Sequence, residues 1–339
     1  MSGLLVGADA AATDAPAALH LTRTGRVWLA IESWIVGPWV GLYRLARPRH
    51  AAPSDASGPT AGVLARAQLP FLVSMSLLAA CWAIGARPAP GLLERLCGVI
   101  AASAITLGVS LAWRHALVER FALVAQIFIL DQYFKVLMKH CSNLSTYFDP
   151  WLLSADRAVF GGWPVAMGQA RGPGESEYWA LVYSLFILYL FSSLFLNATG
   201  RTRAFSAAYF AGITLLYGIA YLGYVWLPAR GPYCIPGLYA AGLPSGPHMD
   251  VLRQSLAYTD CYSGAFPSLH VGAVTYMLLN DWIFCRDRFW AYLPLASSIA
   301  VSTLTLRMHY FIDLVAGALL ATLCVLLCIR LSRCSSSSC

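Results

Sequence analysis

The sequence predicts an all-α integral membrane protein, and its composition, its long apolar stretches and the placement of its arginines each support that fold class. Of the 339 residues, 58% are hydrophobic and only 12% are charged, whereas roughly 25% of the residues in a soluble domain carry a charge. The mean hydropathy of +0.62 points the same way. The chain is therefore expected in a bilayer.

Eight apolar stretches come close to the ~20 residues that a helix needs to cross the hydrocarbon core. They cover residues 70–86, 96–113, 117–138, 178–197, 204–228, 267–285, 289–306 and 311–329. The segment 27–45 is also apolar, but Glu32, Gly37 and Pro38 interrupt it, which favours a helix that lies in the membrane interface. A ninth membrane span is the alternative for this segment.

The arginines of the connecting segments fall mainly on one side of these spans, which the positive-inside rule assigns to the cytoplasm. The connections concerned contain Arg66, Arg114, Arg120, Arg201, Arg203, Arg286 and Arg288. The segments 139–177 and 229–266 and the turn at His309 lie on the opposite side. We expect a protein of the bacterial inner membrane, with both termini in the cytoplasm and this opposite side facing the periplasm.

The net charge of +7 comes largely from these arginines, so the bilayer is an expected partner and nucleic acid is not. The sequence contains no Cys-x-x-Cys pair and no His-rich tract with the spacing of metal ligands. We therefore expect no metal and no cofactor.

Two of the ten cysteines, Cys234 and Cys261, lie in the outward segment 229–266, where an oxidising compartment permits disulfides. A bond between them would stabilise the fold by about 3–4 kcal/mol on a loop-entropy model. The sequence is equally consistent with two free thiols.

A histidine and an aspartate stand four residues apart at the outer start of the last span. This spacing places His309 and Asp313 on one helix face. There the carboxylate can fix the imidazole tautomer and leave the other ring nitrogen free as a nucleophile. A structural hydrogen bond at the helix end is the simpler alternative.

Two further outward elements could bind an anion. His270 follows Pro267 and Ser268 at the start of another span, where unpaired backbone N–H groups and the Ser268 hydroxyl would favour a phosphate. Ser268 could instead be a plain N-terminal cap. Arg230 lies just outside the end of the span 204–228, and a snorkelling interfacial arginine would look the same. Because His270, Ser268 and Arg230 are all predicted on the same side of the membrane as His309, we expect them to form one site with it.

Together these residues resemble the motifs of the type-2 phosphatidic acid phosphatase superfamily, over roughly residues 117–330. That family carries Lys-x6-Arg-Pro, Pro-Ser-Gly-His and Ser-Arg-x5-His-x3-Asp. Here Pro267-Ser268-Leu269-His270 has Leu in place of Gly. Ser302-Thr303, followed by His309 and Asp313, has Thr in place of Arg.

These departures resemble the inositol phosphorylceramide synthase branch of the family, as does the segment 149–162. The first motif fits least well, because Gly223 stands at the position of the lysine and Gly231 separates Arg230 from the following proline. We suggest that Arg307 supplies the missing cation, although it could merely anchor the helix end.

The resemblance implies a six-helix catalytic core at 116–332. A cytoplasmic region at 1–66 and two accessory transmembrane helices at 67–115 would precede it, and a flexible tail at 333–339 would follow it. His309 would attack a lipid phosphoester to give a phosphohistidine, Asp313 would orient His309, and His270 would protonate the leaving group. The phosphate oxygens would be bound by Arg230, Arg307 and Ser268.

The implied partners are a lipid phosphoester donor and a lipid hydroxyl acceptor, which makes the protein a lipid phosphotransferase most like inositol phosphorylceramide synthase. Hydrolysis of a lipid phosphate or a polyprenyl diphosphate is one alternative. A transporter or scaffold without chemistry is another, with Asp131, Lys135 and Arg230 along a polar path.

Several other polar residues have more than one interpretation. Asp131 and Lys135 are one helical turn apart, so we expect them to pair with each other. Tyr183 could line an access path for a lipid or simply pack between helices. Asp149 and Asp156 lie on the outward side, where they could belong to a lid or to a solvated connector.

Overall fold

The computed structural model describes residues 116–141, 147–169, 172–199, 203–259 and 264–334, together with five isolated residues between 73 and 101. The chain divides into two compact units, Met1–Ala52 and Pro53–Cys339, and all of the described residues belong to the second unit. The predicted interfacial helix at 27–45 lies outside the described residues, and so do nearly all of the first two predicted spans. These elements stay predictions.

Within the described ranges the chain forms nine α-helices and one short 3₁₀ turn. The helices are α1 (Ala116–Cys141), α2 (Asp149–Phe160), α3 (Trp163–Met167), α4 (Pro173–Thr199), α5 (Arg203–Trp226), α6 (Pro247–Thr259), α7 (Leu269–Phe284), α8 (Arg286–Thr305) and α9 (Phe311–Cys334), and the 3₁₀ turn is Pro232–Cys234. Over the same ranges the only β-pairing is an isolated bridge between Ala229 and Gly264. The all-helical class is therefore confirmed.

Six of these helices, α1, α4, α5, α7, α8 and α9, coincide with the last six predicted spans. Two of them are long and apolar enough to cross a membrane, over Pro173–Ala198 in α4 and Phe205–Trp226 in α5. In α9 the apolar run Phe311–Leu327 is shorter. The total number of spans stays a prediction.

The six long helices bury a core rich in aromatic side chains, including Tyr189, Tyr209, Tyr276 and Phe210. Within this core α7 packs closely against α8 and α9, and α9 packs against α5. A glycine allows the close approach of α7 and α9, because a Cβ atom on Gly317 would collide with the carbonyl oxygen of Ser268. This contact brings together the N-terminal ends of the two helices that carry the histidine motifs.

The short helices α2, α3 and α6 pack around the end of the bundle at which α7 and α9 begin, with α2 against α9, α3 against α8 and α6 against α4. Helix α6 is capped by a residue of α4, since the Glu177 carboxylate accepts the backbone N–H groups of His248 (2.8 Å) and Met249 (3.1 Å). The outer connections are therefore tied to the bundle by side chains from other elements.

Helix α8 ends in a Schellman-type turn that leads directly to His309. The N–H of Met308 donates to the carbonyl of Thr303 (2.9 Å), and the N–H of Arg307 donates to the carbonyl of Leu304 (3.0 Å). Arg307 occupies the position that glycine normally takes in this motif, with φ of 64°. A left-handed conformation costs a residue with a side chain roughly 1–2 kcal/mol.

Candidate active site

His309 lies in the turn between α8 and α9, and its side chain is buried. Its Nδ1 is 2.9 Å from the carbonyl oxygen of Ala265. Because a carbonyl can only accept, Nδ1 carries the proton and Nε2 keeps its lone pair. The turn therefore presents His309 in the tautomer that a nucleophile needs.

Asp313 follows in the first turn of α9 and is fully buried. Its Oδ2 lies 3.5 Å from Nδ1 of His309 and accepts the N–H of Tyr310 at 2.9 Å. This second contact is a capping interaction, in which an acid three residues into a helix reaches back to the cap residue. Asp313 thus adds negative charge beside the imidazole, while the shorter contact to His309 comes from the main chain of Ala265.

His270 lies in the first turn of α7, and its ring centroid is 5.8 Å from that of His309. The ring packs against Tyr183 at 4.4 Å and Phe186 at 4.6 Å, both on α4. Its Nδ1 lies 3.5 Å from the Tyr183 hydroxyl. The two histidines are therefore within reach of one bound phosphoryl group, but their surroundings differ.

Ser268 is the N-cap of α7, and its hydroxyl accepts the N–H of Val271 at 3.4 Å. Its own N–H donates to the carbonyl oxygen of Asp313 at 3.1 Å. This bond links the start of α7 directly to the start of α9. The preceding peptide bond, between Phe266 and Pro267, is cis.

Arg230 lies in the loop after α5, with its guanidinium stacked 3.9 Å above the Tyr147 ring. The buried Nε has no hydrogen-bond partner among the described residues. The next residue, Gly231, has φ of 105°, and a Cβ atom there would collide with the carbonyl oxygen of Met308. The glycine that interrupts the first family motif therefore lets the Arg230 loop lie against the turn that carries His309.

Packing also explains why residue 223 is a glycine and not the lysine of the first family motif. A Cβ atom on Gly223 would come within 2.7 Å of the Pro267 ring. The bend before α7 thus occupies the space that a side chain at this position would need. A lysine side chain therefore does not fit at position 223.

Arg307 directs its side chain toward the segments that contain Gly168 and Ala241. Its Nε donates to the carbonyl of Gly168 (2.6 Å), one terminal nitrogen donates to the carbonyl of Ala241 (2.8 Å), and the guanidinium stacks on Tyr239. Burial lowers the pKa of Arg307. The second terminal nitrogen, Nη2, is buried without a hydrogen-bond partner in the described parts of the chain. The side chain therefore holds two outer segments and keeps one donor unused.

Two carboxylates of α2 hold the loops around His309, a role that the sequence motifs do not indicate. Asp149 accepts the N–H groups of Arg230 (3.0 Å) and Gly231 (2.8 Å) and the hydroxyl of Tyr310 (2.9 Å). Asp156 accepts the N–H groups of the first two residues of α9, both at 2.8 Å. Burial raises the pKa of Asp156, and these two N–H groups act against that rise. Both acids are buried, which excludes the solvated connector that the sequence left open.

A cavity of ≈ 430 Å³ lies beside the Arg230 loop. Its lining consists of Tyr147, Asp149, Pro150, Leu153, Ser154, Arg157, Arg230, Cys234, Ile235 and Pro236. Neither histidine lines this cavity, so it adjoins the site without being the place where the two imidazoles meet. Cys234 is half-buried here, whereas Cys261 falls outside the described residues, and the disulfide between them stays a prediction.

The expected pairing of Asp131 with Lys135 is confirmed. The Lys135 Nζ lies 2.7 Å from Oδ2 of Asp131, and the hydroxyl of Tyr221 donates to Oδ1 at 3.0 Å. The ion pair lies within α1, and the bond from Tyr221 links α1 to α5.

Comparison with known proteins agrees with the motifs. The model of the PAP2 superfamily matches residues 150–327, more than half of the chain, and includes both histidines and Asp313. This finding confirms the family resemblance suggested by the sequence. No solved structure matches the chain.

Two fungal proteins are similar to shorter segments. The inositol phosphorylceramide synthase catalytic subunit aur1 of Schizosaccharomyces pombe is 40% identical over 98 residues, which is 26% of this chain and 23% of that protein. The inositol phosphorylceramide synthase of Candida albicans is 36% identical over 74 residues, or 22% of this chain and 16% of that protein. The similarity thus spans less than a quarter of either relative.

Proposed function

Because this chain belongs to the PAP2 superfamily, we propose that it is a lipid phosphotransferase that moves a head-group phosphoester from a donor lipid to the hydroxyl of an acceptor lipid. The observation that carries the proposal is the environment of His309. Its Nδ1 is bound to the carbonyl of Ala265 at 2.9 Å, and its ring lies 5.8 Å from that of His270. This arrangement leaves Nε2 as the nucleophilic nitrogen.

In the first step, Nε2 of His309 attacks phosphorus and the bond from phosphorus to the leaving oxygen breaks. His270 gives its proton to that oxygen, so the first product leaves as an alcohol. The head-group phosphate remains on His309 as a phosphohistidine. Asp313 stabilises the positive charge that the imidazole acquires when it is phosphorylated.

In the second step, His270 takes a proton from the acceptor hydroxyl, and the acceptor oxygen attacks phosphorus. The bond between phosphorus and Nε2 breaks, and His309 returns to its starting form. Arg230, the free Nη2 of Arg307 and the N-terminal end of α7 at Ser268 are the proposed contacts for the phosphate oxygens. The scheme requires neither a metal nor another cofactor.

Transfer is favoured over hydrolysis by the relatives. Both are named for the synthesis of inositol phosphorylceramide, a product in which a lipid hydroxyl has accepted the phosphoester. We therefore propose an inositol-bearing phospholipid as donor and a ceramide-type alcohol as acceptor. Water in place of the lipid alcohol would make the same site a phosphatase.

The test is turnover of a head-group-labelled inositol phospholipid by the purified protein in vesicles, with and without ceramide. We expect label in a ceramide product, unchanged activity in excess chelator, and a loss of at least ~10³-fold in His309→Ala. An acid-labile label on the protein should form in the wild type and be missing in His309→Ala. Full activity of His309→Ala would contradict the mechanism, and label released only as water-soluble head-group phosphate would assign hydrolysis instead of transfer.

A further inference from the structure

We propose that α2 positions the candidate active site from outside the predicted spans, and that Asp149 and Asp156 are its two positioning residues. The inference rests on the proposed function, because it assigns the two acids to the same reaction. Neither carboxylate contacts the imidazole of His309 or His270. Both hold the main chain on which the reacting groups are carried.

The two acids share the inward face of α2. They are seven residues apart, or two helical turns, and they are 5% and 2% exposed with buried Leu152 between them. Elsewhere on the same helix Trp151 and Val159 are 61% and 65% exposed. The helix thus buries both of its carboxylates, while its arginine, Arg157, is exposed.

Burying a carboxylate is unfavourable unless its oxygens accept hydrogen bonds. For Asp156 these bonds come from the backbone of α9, with Oδ2 accepting the N–H of Phe311 and Oδ1 accepting the N–H of Ile312. The first N–H groups of a helix have no partner within the helix. Asp156, which lies 155 residues earlier in the chain than Phe311, provides this partner. It thereby fixes the start of α9, two residues after His309.

Asp149 joins the loop of Arg230 to Tyr310, the residue after His309. Its Oδ1 accepts both the N–H of Gly231 (2.8 Å) and the hydroxyl of Tyr310 (2.9 Å). The same carboxylate accepts the N–H of Arg230. One side chain therefore connects the arginine loop to the residue that follows His309.

Apolar packing couples the same elements. Leu152 of α2 lies in one buried cluster with Ala229, Ala265 and Tyr310. The N–H of Ala265 donates to the carbonyl of Ala229 at 3.0 Å, and the carbonyl of Ala265 accepts from His309. A shift of α2 would thus move the acceptor that sets the His309 tautomer together with the start of α9.

The two acids should have different kinetic signatures. Loss of Asp156 loosens the backbone beside the nucleophile, and a misplacement of about 1 Å lowers the rate of a positioned reaction by up to ~10²-fold. Loss of Asp149 also releases the loop of Arg230, which is proposed to bind the phosphate of the substrate. The first change should act on kcat, and the second should act on KM as well.

The experiment compares Asp156→Asn and Asp149→Asn with Asp250→Asn in the full-length protein. Asn has nearly the same shape, but its amide nitrogen cannot accept an N–H. Asp250 is the matched control, because it is an exposed outward aspartate of α6 that pairs with Arg253. We expect Asp156→Asn to lower kcat by about 10–100-fold with KM within about 3-fold, Asp149→Asn to raise KM as well, and the control to behave as wild type.

Hydrogen exchange of residues 307–313 in the same proteins provides a readout that does not require turnover. Exchange in this segment should be faster in Asp156→Asn than in Asp250→Asn. If Asp156→Asn matches the control in kcat, KM and exchange, the inference is overturned. It is also overturned if kcat falls only in proportion to the folded fraction. A wild type without lipid turnover would contradict the proposed function instead, and the exchange comparison would still decide whether Asp156 orders the turn.

Discussion

His309 and His270 lie 5.8 Å apart between ring centroids, yet they are held by different kinds of contact. His309 is surrounded by polar acceptors, with the carbonyl of Ala265 at 2.9 Å and the carboxylate of Asp313 at 3.5 Å. His270 lies against the rings of Tyr183 and Phe186, and its Nδ1 is 3.5 Å from the Tyr183 hydroxyl.

This difference matches the proposed roles of the two imidazoles. A nucleophile needs one tautomer and one orientation throughout the reaction, and fixed acceptors at Nδ1 provide both. A group that first gives and then takes a proton must change its protonation state, which a strong fixed acceptor would oppose. Aromatic packing holds the His270 ring in place, and the contact of its Nδ1 with the Tyr183 hydroxyl is long, at 3.5 Å.

Among changes to the residues that contact the two imidazoles, the largest effect should follow from Asp313→Asn, which removes the charge beside His309. The asparagine oxygen can still accept the N–H of Tyr310, so the start of α9 should be preserved. Because the carbonyl of Ala265 also holds Nδ1, the tautomer should survive. We expect kcat to fall by about 10–100-fold, less than the loss in His309→Ala.

Steady-state kinetics of Asp313→Asn beside His309→Ala will check this expectation. A loss as large as that of His309→Ala would mean that Asp313, not the main chain, determines the orientation of the imidazole. No loss at all would remove Asp313 from the mechanism.

A smaller effect is expected from substitutions of Arg307, which lies two residues before His309 in the same turn. Glycine tolerates the φ of 64°, whereas alanine does not, so Arg307→Ala should be less stable than Arg307→Gly by about 1 kcal/mol. Both variants lose the bonds to Gly168 and Ala241 and should lose similar activity, on the order of 10-fold.

Thermal or denaturant unfolding in detergent measures the stability difference, and kinetics on the same samples measure the activity. Equal stability of the two variants would contradict the strained backbone at position 307. If activity instead parallels stability, and Arg307→Gly is nearly as active as the wild type, then the Arg307 side chain neither anchors the loops nor binds phosphate.

Local sequence information located the long helices in the described part of the chain and singled out the two motif histidines, whose catalytic roles stay predictions. Apolar length locates α4, α5 and α9, and motif spacing locates His270, His309 and Asp313. The structure brings these three residues together as the motifs implied. For Ser268, it agrees with the capping alternative that the sequence left open.

The contacts that hold His309 could not be predicted in this way. The acceptor for Nδ1 is a main-chain carbonyl, which any residue at position 265 would provide. Asp156 caps a helix that begins 155 residues later, and no local pattern records such a distant partner. The direction of the Arg307 side chain depends on an unusual backbone conformation, which sequence patterns assign to glycine.

The smallest effect is expected on the aromatic side of the site, from Tyr183→Phe. This change removes a hydroxyl whose contact with His270 is long, at 3.5 Å, and retains the ring that packs against the imidazole at 4.4 Å. We expect kcat to fall by only about 2–5-fold, whereas Tyr183→Ala should cost ~10-fold or more because the His270 ring loses its support. Kinetics of the pair will separate ring packing from hydrogen bonding. If Tyr183→Phe is as damaging as Tyr183→Ala, the hydroxyl fixes the His270 proton, and the two histidines are held by the same kind of contact after all.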